Sequence, residues 1–144
     1  MYSHILIPTD GSDLANKAVD HAISMTKLMG AKLTAMTVQP FLENFVAEGV
    51  AITVSEDDKK AFAAATARNL DLVKAKADKA GIEVSTLQVE SGEPWRAIVD
   101  SAKEQGADLI VMASHGRRGL SALLLGSETQ KVLTHVEVPV LVVR

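Results

Sequence analysis

The chain has 144 residues, 47% of them hydrophobic, with 18 acidic and 15 basic side chains, a net charge of −3 and no cysteine. This length predicts a single domain over residues 1–144 that buries roughly 70% of the unfolded chain's surface. The absence of cysteine excludes disulfides, thiolate catalysis and zinc sites with sulfur ligands, and is typical of a reducing compartment. The mixed charges argue against nucleic acid as a partner. The first apolar segment is too short for a signal peptide or a membrane span, so we expect a cytoplasmic protein with no membrane partner.

Five apolar or β-branched segments predict five strands. The segments at 4–8 and 107–114 are continuously apolar, which is typical of parallel strands covered on both faces. The other three segments cover residues 31–38, 82–89 and 138–143.

The first two predicted helices fill the longer gaps between strands. One follows residue 11 and ends at Gly30. The other begins after Ser55, whose hydroxyl can cap the acidic first turn, and ends near Gly81. Its predicted buried stripe consists of Phe62, Leu70, Val73 and Ala77.

The last two predicted helices have clear start signals. The segment 92–106 carries Pro94 where the first turn tolerates a missing N–H. Ser127 and Gln130 match a capping box, which predicts a helix from Ser127 to about His135. Strands that alternate with helices predict an α/β fold, a five-stranded parallel sheet with helices on both faces. Because the first and fourth strands are the most hydrophobic, we expect them side by side at the centre.

The connection 39–54 is unusually long at sixteen residues and is rich in apolar side chains. Connections of this length are usually functional. A lid or a subunit contact is one interpretation, and packing of the apolar side chains over the sheet edge is the other.

A ligand of such a sheet binds beyond the carboxyl ends of the central strands, where the strand order reverses. Those ends carry "PTDGS" (8–12) and "ASHGRRG" (113–119). Asp10 could accept hydrogen bonds from a ribose hydroxyl or a base amino group. Alternatively, Asp10 or Ser12 only caps the following helix.

The second loop has features that favour phosphate. Gly116 and Gly126 permit close approach of the backbone, and Ser127 opens a helix whose free N–H groups favour an anion. Alternatively, Ser127 serves only its own capping box. Arg117 or Arg118 could add donors to phosphate.

Several common chemistries lack their signatures. The sequence has no P-loop, no GxGxxG and no GxSxG motif, and a phosphoacceptor receiver would need a second acid at the end of the third strand. His115 has no second ligand at metal spacing, so it is interpreted as a loop hydrogen-bonding group.

Four segments of the chain resemble the universal stress protein family over essentially the whole length. They are "ILIPTDGS", "GEPWRAIVDSA", "ADLIVMASHGRRGLSALLLGSETQKVL" and "VPVLVVR". Nucleotide-binding members of that family carry Gly-x2-Gly-x9-Gly-Ser/Thr. The corresponding positions here are Ala113, Gly116, Gly126 and Ser127, so the spacing is kept and the first glycine is not.

The resemblance implies a Rossmann-like fold of the adenine nucleotide alpha hydrolase type, with the strand order 3-2-1-4-5. It also implies an ATP site, with Mg²⁺ accompanying the nucleotide. Pro8, Thr9 and the Val38 backbone would line the base pocket. The methyl group of Ala113 is compatible with a ligand unless this residue needs a positive φ. The implied site residues are Pro8, Thr9, Asp10, Val38, Met112, Ala113, His115, Gly116, Arg117, Gly126, Ser127 and Glu128.

The resemblance implies a nucleotide-responsive stress-response factor that acts through conformational change and protein partners, and not an enzyme. An interaction protein with an empty crevice is the alternative, which Ala113 favours, and a slow ATPase is a third. Both main alternatives imply a homodimer through the last strand, which comprises Val140, Leu141, Val142 and Val143.

Overall fold

The computed structural model describes residues 1–43, 45–117 and 124–144, and it describes Phe45 without its side chain. Seven strands and four helices lie in these ranges. In chain order they are β1 His4–Pro8, α1 Asp13–Met29, β2 Lys32–Gln39, β3 Phe45–Ala47, β4 Val50–Ile52, α2 Glu56–Ala80, β5 Val84–Glu90, α3 Pro94–Gln105, β6 Leu109–Ala113, α4 Ser127–His135 and β7 Val140–Val143.

The main sheet has five parallel strands in the order β5-β2-β1-β6-β7. Numbered by their order along the chain, these strands read 3-2-1-4-5, which confirms the predicted topology. One buried cluster packs the sheet against α1 and α2, and the other packs its opposite face against α3 and α4. The central strands β1 and β6 are apolar apart from His4 at the start of β1, because both of their faces are covered. No helix within the described residues is long and apolar enough to cross a membrane.

Helix α2 follows its predicted signals at both ends. Ser55 is the N-cap, and it exchanges capping-box hydrogen bonds with Asp58. Gly81 ends the helix in the left-handed conformation. The predicted stripe is wrong at Phe62, whose side chain is 40% exposed, whereas Leu70, Val73 and Ala77 are buried. Thr66, one turn later, is buried instead. Its hydroxyl donates to the Phe62 carbonyl (3.0 Å), so this polar group is satisfied although it is buried.

The predicted capping box of α4 is wrong. Gly126 is the N-cap and Ser127 is the first helical residue, since the Gly126 carbonyl accepts the Gln130 N–H (3.0 Å). The Gln130 side-chain amide donates to the Leu125 carbonyl (2.8 Å) instead of returning to a cap. Glycine fits this cap because the chain passes close to an adjacent loop at this point.

The connection 39–54 contains an antiparallel hairpin that the sequence analysis missed. Strands β3 and β4 pair across Glu48 and Gly49, which both have positive φ, as a two-residue type I′ turn requires. Val46 is 71% exposed and Val50 is 63% exposed, so these side chains do not pack over the sheet edge.

Candidate functional site

The described residues of the two predicted loops, 8–12 and 113–117, lie side by side at the carboxyl ends of β1 and β6, where the strand order reverses. The first loop is anchored to β2. Thr9, which is buried, donates its N–H to the Met36 carbonyl (2.9 Å), and its own carbonyl accepts the Thr37 hydroxyl (2.6 Å). The Thr9 hydroxyl accepts the Gly11 N–H (3.1 Å). The chain after Pro8 therefore enters the crevice along a fixed path.

Asp10 joins the two loops. Its Oδ1 accepts the Ser12 N–H (2.9 Å), and its Oδ2 accepts the Arg117 N–H (3.0 Å). The hydroxyl of Ser12, and not Asp10, caps α1 by accepting the Ala15 N–H (3.3 Å). An ionised carboxylate offers about four acceptor positions. Asp10 therefore retains acceptor capacity for a ligand.

Gly116 lies directly against the Asp10 carboxylate. A Cβ at this position would lie 2.7 Å from Asp10 Oδ2, so any other residue would displace the Asp10 carboxylate. The next residue adds a side-chain contact, in which Arg117 Nε donates to the Asp10 carbonyl (3.0 Å). Nδ1 of His115 lies 3.2 Å from the hydroxyl of buried Ser114, which is the loop hydrogen bond expected of this histidine. Arg118 lies outside the described residues.

The start of α4 faces the same crevice. The Gly126 N–H donates to the Ser114 carbonyl (2.7 Å), and a Cβ on Gly126 would lie 3.1 Å from His115 Cα. The N–H groups of the first helical turn, from Ser127 to Thr129, have no intrahelical acceptor. The Glu128 carboxylate is turned towards α3, where its Oε2 accepts the Trp95 N–H (2.8 Å). Glu128 therefore offers the crevice its N–H and not its charge.

The end of β6 forms the floor beneath these loops. Met112 and Ala113 are its last two residues, and the Ala113 carbonyl accepts the hydroxyl of buried Thr129 (3.1 Å). Ala113 is 9% exposed, and its methyl group packs in the cluster shared with α1. Its φ is not positive. A methyl group here is expected to be incompatible with a ligand only at a positive φ, and Ala113 does not have that conformation.

Val38 lies near the end of β2, and the register fixes where its peptide groups point. The Met36 carbonyl accepts the Thr9 N–H on the β1 side. The Gln39 carbonyl accepts the Ser91 N–H on the β5 side. Because the two sides alternate along a parallel strand, the N–H and C=O of Val38 point to the β1 side, beyond the end of β1.

Asn69 belongs to the site and was missed by sequence reasoning. Its Nδ2 donates to the Asp10 carbonyl across a sequence separation of 59 residues (3.4 Å). Asn69 lies inside the long helix α2, beside buried Leu70. The sequence signal was limited to an asparagine at a helical position, where other residues have a higher helix propensity.

The strongest perturbation of a carboxyl group lies at the opposite, amino end of the sheet. Hydrogen bonds from the His4 N–H and from the hydroxyl and N–H of Ser3 lower the pKa of Asp108 from 3.8 to about 2. In the described parts of the chain, no cluster of three or more acidic or histidine side chains is arranged to hold a metal ion. The groups that the crevice offers to a ligand are the Asp10 carboxylate, the outward peptide groups of Val38 and the N-terminus of α4.

These features define a doubly wound α/β protein with a crevice suited to a polar, anionic ligand at its topological switch point. The sequence model of the universal stress protein family matches residues 1–144 of the chain. The chain therefore belongs to this family.

Known relatives agree in sequence and in structure. Universal stress protein MJ0531 of Methanocaldococcus jannaschii is 39% identical over 147 residues, which cover all of this chain and 83% of the relative. The structure of universal stress protein UspA from Lactobacillus plantarum matches with a TM-score of 0.80 and 26% identity, over 99% of this chain and 98% of that chain. A universal stress protein in complex with cAMP matches with a TM-score of 0.70 and 26% identity, over 99% of this chain and 97% of that one.

Proposed function

We propose that the protein binds ATP in the crevice between β1 and β6 and acts as a nucleotide-responsive factor in the stress response. The observation that carries the proposal is the position of Asp10, whose carboxylate lies between two loops and keeps free acceptor positions. The related universal stress protein in complex with cAMP supports an adenine nucleotide as the ligand class.

The crevice residues fit the three parts of ATP. The outward peptide groups of Val38 would pair with the edge of the base, beside Pro8. Asp10 would accept the ribose hydroxyls above Ala113 and Gly116. The N–H groups of the first turn of α4 and the Ser127 hydroxyl would hold phosphate, which the positive end of the helix dipole favours.

Mg²⁺ would arrive with the phosphates. Magnesium usually retains several waters and binds through substrate phosphates with one or two carboxylates, so it does not require a cage of protein side chains. Its role would be to neutralise phosphate charge next to the α4 N-terminus.

The response to the nucleotide would come from the loop that follows β6. The Arg117 N–H already occupies one oxygen of Asp10, and Gly116 lies against the same oxygen. A ribose hydroxyl on a free acceptor position of Asp10 would therefore add a contact beside this loop, order it and change the surface that it presents to protein partners. Hydrogen exchange of residues 114–117 should slow in saturating Mg-ATP, because the nucleotide orders the loop. Identical exchange rates with and without nucleotide would contradict this mechanism.

We propose binding without turnover. The groups nearest to the site that could activate water would have other roles, since Asp10 would accept the ribose hydroxyls and His115 Nδ1 lies within hydrogen-bonding distance of the Ser114 hydroxyl. Incubation of the purified protein with Mg-ATP should release no phosphate above the rate in buffer.

We propose a homodimer through β7, the strand at one edge of the sheet. An edge strand presents unpaired N–H and C=O groups, and the apolar β7 also leaves Leu141 38% exposed. The opposite edge, β5, alternates exposed polar side chains with half-buried apolar ones. Light scattering coupled to gel filtration should give about twice the chain mass of 15.3 kDa. Val142→Arg should give the monomer.

Calorimetric titration with Mg-ATP tests the proposed ligand. We expect binding to the wild type, and similar affinity in Ala113→Gly because the Ala113 methyl group packs towards α1. Binding only in Ala113→Gly would show that this methyl group closes the site. No heat from either protein would favour the alternative, an interaction protein with an empty crevice.

A further inference from the structure

The Asp10 main chain is held from two sides by side chains of other elements. Its carbonyl oxygen accepts Arg117 Nε from the loop after β6 (3.0 Å) and Asn69 Nδ2 from α2 (3.4 Å). A carbonyl oxygen has two lone pairs, so these two donors fill its capacity. Together with the N–H groups of Ser12 and Arg117 on the carboxylate, four hydrogen bonds fix both ends of this residue.

Asn69 is also packed against the turn that follows Asp10. Gly11 has a φ of +77°, and a Cβ there would lie 2.7 Å from Cγ and 2.8 Å from Nδ2 of Asn69. The Asn69 amide group therefore occupies the space that a side chain at position 11 would need. This contact is independent of the hydrogen bond and places the same group against the same turn.

The position of Asn69 in α2 does not explain its presence. Thr66, Leu70, Val73 and Ala77 form the buried stripe of the helix, and half-buried Asn69 lies on the flank of this stripe. Asparagine is a poorer helix former than alanine or leucine. Its side-chain hydrogen bond leaves the helix for the Asp10 carbonyl, and the same amide group lies against Gly11.

We infer that Asn69 is a positioning residue for the ligand site, acting with Arg117 to aim the Asp10 carboxylate into the crevice. The inference rests on the proposed function and adds to it a residue from a different element. A ligand group that bonds to a carboxylate already fixed in direction does not bear the entropic cost of ordering it. Loss of the Asn69 amide removes one of the two hydrogen bonds on the Asp10 carbonyl, loosens the Asp10–Gly11 turn and weakens binding without removing any ligand contact.

The test combines affinity with a spectroscopic signature in the full-length protein. Asn69→Ala should weaken Mg-ATP binding about three- to tenfold, the effect of one hydrogen bond. Asn69→Asp should weaken it further because a carboxylate would face the Asp10 carbonyl oxygen. In nucleotide-free protein, both variants should shift the backbone amide resonances of Ser12 and Arg117, which donate to the Asp10 carboxylate.

Two control variants separate positioning from general stability. Arg68→Ala removes an exposed neighbour on α2 and should change neither affinity nor these resonances. Ser55→Ala removes the N-cap of the same helix and should lower the melting temperature with unchanged affinity.

The outcomes are distinguishable from those of the proposed function. Wild-type affinity in Asn69→Ala, or Ser12 and Arg117 resonances that stay in place, would overturn the positioning role while ATP binding stands. An equal loss of affinity in Ser55→Ala would also overturn it. If the wild type binds no ATP, the proposed function fails, and the amide resonances still decide whether Asn69 orients Asp10.

Discussion

The two ends of the central sheet differ in what converges on them. At the carboxyl end, two loops meet at the Asp10 carboxylate, the start of α4 lies against Ser114 and His115, and Gly116 and Gly126 are closely packed. At the amino end, an open cleft of about 750 Å³ lies between the starts of β1, β2 and β5. Its lining is polar and includes His4, Lys32 and Ser85.

The difference shows that volume alone does not define a site. The amino end receives the C-termini of α1, α2 and α3, each closed by a left-handed glycine, and their outward carbonyls give it partial negative charge. Lys27, which lines this cleft, lies in the last turn of α1, where a positive charge interacts favourably with the helix dipole. The carboxyl end instead offers the N–H groups of the first turn of α4 and the Asp10 carboxylate.

The largest expected effect comes from a pair of left-handed glycines, one at each end. Gly81→Ala at the amino end meets no atom within 4 Å and should cost only the conformational strain of about 1–2 kcal/mol. Gly11→Ala adds a clash with Asn69 and should cost about 1–3 kcal/mol more. Urea denaturation measures both free energies of unfolding. Equal losses would show that the Asn69 contact imposes no constraint.

A pair of carboxylates gives the next effect, on affinity. Asp10→Ala should weaken Mg-ATP binding roughly tenfold to hundredfold, as expected for hydrogen bonds to a charged group. Asp108→Ala also removes a carboxylate that accepts N–H groups, but at the amino end, and should leave the affinity within about twofold of wild type. Calorimetry of the two variants compares the ends directly. The opposite ranking would move the site to the amino end.

A pair of serines separates helix capping from ligand contact. Ser127→Ala should leave the free energy of unfolding within about 0.5 kcal/mol, because Gly126 is the cap, and should weaken ATP binding about three- to tenfold. Ser55→Ala should lower the free energy of unfolding by about 1 kcal/mol without affecting binding. Thermal melts and titrations of both variants check the prediction. A destabilised Ser127→Ala with normal affinity would restore the capping interpretation.

The smallest effect is a pH dependence that belongs to the amino end. Because the folded-state pKa of Asp108 is lowered from 3.8 to about 2, its hydrogen bonds stabilise the fold above the unfolded pKa. This contribution is lost as the pH falls from 3.8 towards 2. The melting temperature of the wild type should therefore exceed that of Asp108→Asn at neutral pH, and the difference should shrink across this window. A constant difference would contradict the lowered pKa.

The sequence was sufficient for the sheet and for the main loops of the site. Continuous apolar runs identified β1 and β6 as central, and turn residues at their ends marked Asp10 and Gly116. Short-range patterns failed where tertiary packing decides. Ser127 matched a capping box, yet the hydrogen bond from the Gly126 N–H to the Ser114 carbonyl moved the cap by one residue.

Two other features were hidden for different reasons. The hairpin of β3 and β4 has only three residues in each strand, and its turn is Glu48-Gly49 in place of the more familiar Asn-Gly. Asn69 has no local signal because its partner is 59 residues away in the sequence. Only the packing of α2 against the sheet brings this amide group to Asp10.

The proposed binding of an adenine nucleotide at the carboxyl end of the sheet can be tested by an NMR titration of the backbone amide groups with Mg-ATP. We predict saturable shifts at Gly11, Ser12, Ser127 and Glu128, with none at Lys32, Ser85 or Gln105 in the amino-end cleft. Shifts confined to the cleft residues would place the nucleotide at the amino end, and no shifts at millimolar nucleotide would rule out binding at either end.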